Sequence, residues 1–428
     1  MKTKKFFKVF TVLALCLFAF TSANSQTRIS SPYSRFGIGD LHLYNHTSIM
    51  AMGGTSIGLN NPLLVNFNNP ASYHSIEPKS FVFEASLYNK YARLRTETLS
   101  QRSNYATLGH LLMAFPVTSY WKSSLGLLPF SDMGYKVVDS RIDEQFGKTE
   151  HNFEGSGGIH QFYWGNSVGI GKRLSVGFNL VYLFGTLEKN RSLSFPDSVF
   201  MLGTRILNTT SVSDLKLNTG IQYNQALNDD YSFTLGLTYS PEAKITIKDK
   251  VLAYNYFPGL TGVDNIRDTI IDTPSLKGKM VLPSDLGAGI MFQKTGRWLI
   301  AADYTWQNWE NYTLFDRSDS LKNSMGVSLG TQFTPINTTI SPYWKKMRYR
   351  FGIRYSQTYL ELNNNQLNEF GISFGFGLPL SRTRSAINLG IEIGQRGTTK
   401  NNLIEETFFR FSASFSILDR WFEQRRYF

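Results

Sequence analysis

Beyond residue 25 the chain contains no cysteine; the only one, Cys16, lies in the opening segment. That excludes disulfides and thiol chemistry from the rest of the protein. No apolar run approaches the ~20 residues that a membrane-spanning helix requires. Lys and Arg exceed Asp and Glu by 44 to 32. The basic residues are scattered, however, with no helix-turn-helix, zinc or RNA-binding signature among them, so nucleic acid is not an expected partner. Gly-x-Ser-x-Gly is missing, as is any other grouping of nucleophile, base and orienting residue. An enzyme is therefore not expected, nor is a cofactor.

The first residues are a targeting segment. Lys2, Lys4, Lys5 and Lys8 precede an apolar run from Val9 to Phe20, followed by the small-x-small site Ala23-Asn24-Ser25. This pattern predicts a secretory signal peptide over 1–25 and a mature chain from Gln26. Leu15 occupies the position where lipid attachment at Cys16 would want a small residue. Without these residues the net charge falls from +12 to +8, since four lysines and no acid leave. An exported chain without a spanning helix is either soluble or a barrel.

Periodicity separates the two. In "YSFTLGLTY", Tyr231, Phe233, Leu235, Leu237 and Tyr239 fall on one face, and polar or small residues on the other. "RWLIAADYTW" repeats the pattern with Trp298, Ile300, Ala302, Tyr304 and Trp306. Period two is the mark of a strand with two unlike faces. Aromatic ends eight residues apart span ~26 Å at ~3.3 Å per residue, enough to cap an apolar band at both interfaces. Fourteen such runs begin near Phe81, Ala106, Ser124, Gln161, Leu174, Leu215, Tyr231, Leu282, Arg297, Asn323, Lys346, Asn368, Ala386 and Glu406. They are longer than sandwich strands. Short connections such as "GKR", "LNDD" and "KTG" alternate with long ones near 89–104, 139–159, 188–211, 250–276 and 307–320. The prediction is an all-β fold: a transmembrane antiparallel β-barrel over 80–418, in the outer membrane of a Gram-negative bacterium, with both termini periplasmic.

Residues 26–79 have no regular period, yet they carry Phe36, Ile38, Leu41, Ile49, Met50, Met52, Leu64 and Phe67. That is too apolar for a solvated tail. Inside the barrel, such a segment would satisfy its backbone against a polar wall. With Met52-Gly53-Gly54, Asn69-Pro70-Ala71, "YSPEAKI" (239–245) and "LPSDLGAGIMFQKTGRWLIAADYTWQNWENY" (282–312), the chain resembles the FadL-type long-chain fatty-acid transporters across roughly 46–418. The resemblance implies fourteen strands and an N-terminal hatch that includes Gly53, Gly54, Asn69, Pro70 and Ala71. The leader "SPYSRFGIGDL" and the tail 419–428 are additions to the family pattern.

Pro129 interrupts the third strand, where it cannot donate to the ladder and a bulge is expected. The resemblance places a lateral opening at Pro129, Phe130 and Gly134; an ordinary bulge is the alternative. Assigning the more apolar face outward leaves Leu108, Leu112, Leu128, Val181 and Leu183 as a greasy inner wall. Arg348, Arg350, Arg354 and Arg410, with Glu392 and Arg396, form a basic one. Together they suit an amphipathic ligand with an anionic head. The plainer alternative is a hatch packed on the greasy wall, with Glu392 and Arg410 paired across neighbouring strands. His42, His46 and Asp40 lack the pattern of a metal site. Trp421, Phe422, Arg425 and Arg426 read as an interfacial foot on membrane lipid or as a docking point for a protein partner. Two functions follow: passive uptake of a hydrophobic or amphipathic small molecule, or a structural subunit of an outer-membrane assembly or secretion complex.

Overall fold

The computed structural model describes residues 30–42, 46–198, 200–257, 264–335, 341–380 and 383–420. The signal segment and the tail residues Trp421, Phe422, Arg425 and Arg426 lie outside them.

Fourteen long strands form the wall. They are β1 (Ser80–Arg95), β2 (Ser100–Pro116), β3 (Trp121–Asp132), β4 (Gly147–Ile170), β5 (Leu174–Ser194), β6 (Gly203–Ala226) and β7 (Tyr231–Ser240). The second half comprises β8 (Asp285–Lys294), β9 (Trp298–Gln307), β10 (Ser324–Phe333), β11 (Arg348–Leu362), β12 (Asn365–Pro379), β13 (Ala386–Arg396) and β14 (Glu405–Arg420). Each pairs antiparallel with the next, and β14 returns to β1 in an unbroken register from Ser80↔Arg420 to Arg95↔Glu405. The sheet therefore closes on itself, which removes the two outer edges that an open sheet would present.

The two faces differ as the periodicity demands. Leu235, Leu237 and Tyr239 of β7, Ile300 and Tyr304 of β9, and Phe370, Phe374 and Phe376 of β12 are exposed on the outside. Between them Thr234, Asp303 and Ser373 are buried on the inside. A continuous outer belt of Leu, Ile and Phe is stable only against hydrocarbon.

β4, β5 and β6 contain 24, 21 and 24 residues, against the roughly 9–11 needed to cross the membrane. They run on past the apolar belt as a sheet. Tyr135–Asp143 pairs with β4, and Ala243–Phe257 pairs with β6. The stretches expected as loops near 139–159, 188–211 and 250–276 are thus largely extended strand. Their polar alternation satisfies a ladder as well in water as in lipid.

The core lies inside the ring. Val65, Phe67, Tyr73 and Ile76 pack with Leu112, Leu128, Tyr163, Val181 and Leu183. Ile49, Met52, Leu59 and Leu64 pack with Met291, Leu299 and Ala301 on the opposite wall.

Candidate functional site

The stretch Asn66–Tyr73 is a hydrogen-bonded knot. The Asn69 side chain caps a 3-10 helix, Pro70–Ser75, by accepting from Ala71 N at 3.1 Å, and its amide donates to Ile57 O at 2.7 Å. Asn179, on the inner face of β5, donates to Phe67 O and accepts from the Tyr73 hydroxyl, both at 2.9 Å. Asp303 of β9 accepts from Ser56 N at 2.5 Å and Ile57 N at 2.8 Å. Close approach depends on a missing side chain at Gly177, where a Cβ would lie 2.6 Å from the Pro70 carbonyl carbon. Gly53 and Gly54, with φ of +69° and +93°, form the turn that meets β11. The segment read as a hatch is tied to the wall all round. Asn179, Asp303 and Gln222, whose amide donates to Ile57 O at 3.0 Å and Leu59 O at 3.2 Å, were not singled out from the sequence. Their signal is a polar residue on the small-residue face of an otherwise apolar strand.

Around Pro129 the wall ladder breaks. β2 and β3 pair only as far as Leu111↔Leu127. On the β4 side the register skips Phe130, passing from Pro129↔His160 to Ser131↔Ile159. The leader fills the vacated edge of β3. Asp40 and Leu41 pair antiparallel with Asp132 and Ser131, and His42 N donates to Phe130 O at 3.0 Å. Ser30 N and Ser31 N both donate to Gly134 O, while Gly134 N donates to Ser34 Oγ at 3.1 Å. Pro129, Phe130 and Gly134 therefore frame a gap in the ladder, and the chain's own leader occupies it.

The predicted basic wall is neutralised where it is deepest. Lys90, Arg354, Arg396 and Arg410 meet Asp40, Glu369, Glu392 and Glu406, four cations against four carboxylates, in one connected cluster. Arg410 Nη1 lies 2.9 Å from Glu392 Oε2 and its Nη2 lies 2.8 Å from Glu369 Oε1; Arg354 Nε lies 2.6 Å from Glu392 Oε1. Pairing of Glu392 with Arg410 across β13 and β14 is thus observed. Asp40 reaches the cluster from the leader, 2.8 Å from Arg396 Nη1. Burial alone would raise its pKa, but the Arg396 and Lys90 charges outweigh that and hold it below the usual carboxylate range. Arg348 and Arg350 stand outside the cluster.

Of the predicted greasy wall, Leu112, Leu128, Val181 and Leu183 do point inward, where the N-terminal segment covers them. Leu108 does not; it is 44% exposed and faces outward. The cause is one extra residue in β2. The β1–β2 register steps from Ser86↔His110 to Leu87↔Leu108, and the skipped Gly109 exchanges the two faces of the strand.

The three residues weighed as a metal site go separate ways. Asp40 joins the charge cluster, and His42 pairs with Asp132. His46 pairs with Glu84 of β1, beside His110 of β2. His46, Glu84 and His110 lie close enough to suggest a metal. However, His46 Nδ1 accepts from Ser48 N at 2.9 Å. A neutral imidazole then carries its proton on Nε2, toward Glu84, as a donor. The trio fits a hydrogen-bonded carboxylate and not a metal ligand set.

Between the segment and the kink the lumen keeps a cavity of about 370 Å³, with Phe67, Tyr105, Phe130, Leu282 and Trp309 among its apolar walls. Lys216 and Asp285 also line it, the Lys216 ammonium 5.7 Å from the centre of the Phe130 ring.

Residues 4–428 match the family model described as BamG. The chain belongs to the BamG family. No curated protein matches it in sequence. Among solved structures, this BamG-family chain is similar to the Pseudomonas putida toluene transporter TodX at 17% identity, covering 90% of this chain and 100% of that one with a TM-score of 0.59. The Ralstonia pickettii toluene transporter TbuX (12% identity, 87% and 97% covered, TM-score 0.57) is another similar structure. So is a Pseudomonas aeruginosa FadL homologue (12% identity, 88% and 98% covered, TM-score 0.56). The fold is that of FadL-type outer-membrane channels.

Proposed function

We propose that this chain is a hatch-closed outer-membrane channel, with both termini periplasmic, that passively admits a small hydrophobic or amphipathic molecule. The observation that carries the reading is the 370 Å³ cavity between hatch and kink, within the range of small-molecule sites. The likeness to toluene transporters in fold supports it. Opening requires the hatch to shift, or the leader to leave Pro129, Phe130 and Gly134 so that the ligand exits sideways. The test is toluene uptake in vesicles carrying the protein. Ser328→Trp fills the cavity from β10, and uptake is expected to fall about tenfold with unchanged folded barrel. Equal uptake by both proteins refutes the channel.

A second reading has its own support. The leader pairs with the free edge of β3 and Asp40 ties it to Arg396, which supports a barrel whose lateral gap stays occupied. A barrel held shut suits a structural subunit of an outer-membrane complex. It predicts no uptake by the unaltered protein and co-migration with a partner on a native gel, lost when the expected tail 419–428 is shortened to Arg420, which leaves Asp419 and Arg420 paired with β1. Unchanged migration removes the docking role of the tail.

A further inference from the structure

The inward arginines fall into two groups. Arg354, Arg396 and Arg410 are engaged by carboxylates. Arg348 and Arg350, two residues apart on one face of β11, have no carboxylate partner among the described residues. Arg350 is only 6% exposed and donates to two neutral amides, Nε to Gln332 Oε1 at 2.8 Å and Nη1 to Asn388 Oδ1 at 3.1 Å. Arg348 has neither hydrogen-bond nor ion-pair partner among the described residues. Neighbouring guanidiniums taken out of water need a counter-charge. Glu84 acts on Arg350 through space but is engaged by His46.

A cavity of about 10 Å³ lies here, bounded by Arg348, Arg350, Arg384, Ser48, Asn61 and Asn388, and no carboxylate lines it. That volume admits one oxygen atom. Gly377 on β12 lies against both arginines: a Cβ there would lie 3.2 Å from Arg348 Cβ and from both Nη atoms of Arg350.

We propose that Arg348 and Arg350 form an oxyanion site that holds one oxygen of a phosphate group. It lies at the end of the barrel where β1 begins and β14 ends, beside Val82, Ser416 and Leu418. The guanidinium forks supply the directed donors that phosphate oxygens accept. The rest of the phosphate projects past the half-buried Arg348 toward the exposed Arg384, whose guanidinium is already paired with Glu77. Free phosphate and a phospholipid headgroup present the same oxygens. The site does not depend on whether the barrel conducts.

The test uses the full chain in phosphate-free maltoside detergent. Inorganic phosphate is titrated by calorimetry, and phosphatidylglycerol is compared with neutral diacylglycerol by native mass spectrometry. Arg348→Gln removes a side chain with no partner among the described residues to lose, and Gly377→Ala presses a methyl group against both arginines without changing charge. Both are expected to weaken binding roughly tenfold or more, the worth of a charged hydrogen bond, whereas the exposed and remote Arg317→Gln leaves it unchanged. Binding of phosphatidylglycerol alone, lost in both variants, supports the site with lipid as its source. No binding of either probe, or binding unchanged in the two variants, overturns it.

Discussion

Asp40→Asn isolates the latch between leader and wall. Asp40 brings one of four negative charges to a cluster with four positive ones, and it does so from outside the wall. Asn keeps the shape and leaves the cluster with an excess of one cation. Breaking a buried ion pair costs about 3–5 kcal/mol. The lower end applies, since Lys90 keeps Glu406 at 2.5 Å and Arg396 retains Glu369 at 3.9 Å. The wall ladder is untouched, so the loss falls on leader docking. About 3 kcal/mol raises the undocked fraction roughly a hundredfold at 1.36 kcal/mol per decade. Hydrogen exchange at the amides of Ser31 and His42, both bonded to the β3 edge region, reads that fraction directly. Proteolysis after the exposed Arg35 gives a second reading. Pairing Asp40→Asn with Arg396→Gln is expected to cost less than the two changes added, as for interacting groups. Exchange that rises less than threefold in Asp40→Asn, with a folded barrel, refutes the latch.

Because the Asp40 pKa is depressed in the folded chain, its contribution is present above the unfolded value of about 3.9 and lost as pH falls through the lower folded value. Leader protection is therefore expected to be flat from pH 8 to 5 and to fail only in stronger acid, as exchange measurements corrected for intrinsic rate will show. Gly177→Val drives a side chain into the Pro70 backbone and is expected to cost about 1–3 kcal/mol or more, seen as a lower temperature of heat-modifiable migration. Leu183→Arg places a charge beneath the N-terminal segment in a fully buried site. It is expected to reduce folded barrel; normal barrel abundance would show that the N-terminal segment does not cover this wall. Asn179→Leu, which removes both bonds to Phe67 and Tyr73, is expected to destabilise docking of the N-terminal segment by about 2 kcal/mol, measured as faster exchange at Ala71 and Ser72.

Much of the wall was legible in the primary sequence. Period-two alternation with aromatic ends gives each strand two faces, and a face of Leu, Ile and Phe has no place but lipid. Fourteen strands follow from counting those runs, and Tyr239 and Tyr304 face outward as their spacing requires. The Asn-rich knot announces a capped turn, because Asn and Pro at that spacing satisfy local backbone groups before any tertiary contact exists. What failed was parity. Leu108 was assigned to the lumen because a strand read as strictly alternating conceals its bulge, and Gly109 announces one only when the β1 partner is known.

Pairing, too, was decided by the tertiary structure alone. Sequence places Arg354, Arg410 and Glu392 on inner faces, but a basic wall and a neutral cluster have the same composition. Only the register that sets Glu392 opposite Arg410, and the leader that carries Asp40 to Arg396, distinguishes them. The same holds at the kink. Pro129 predicts a break in the ladder from its missing N–H, yet whether that break is a door depends on what lies against the free edge, and here it is residues 40–42 of the same chain. Alternation and turn chemistry are local and can be read from a string of residues. Hydrogen-bond partners and charge balance join positions as far apart as 40 and 396, and closure of the barrel is what brings them together.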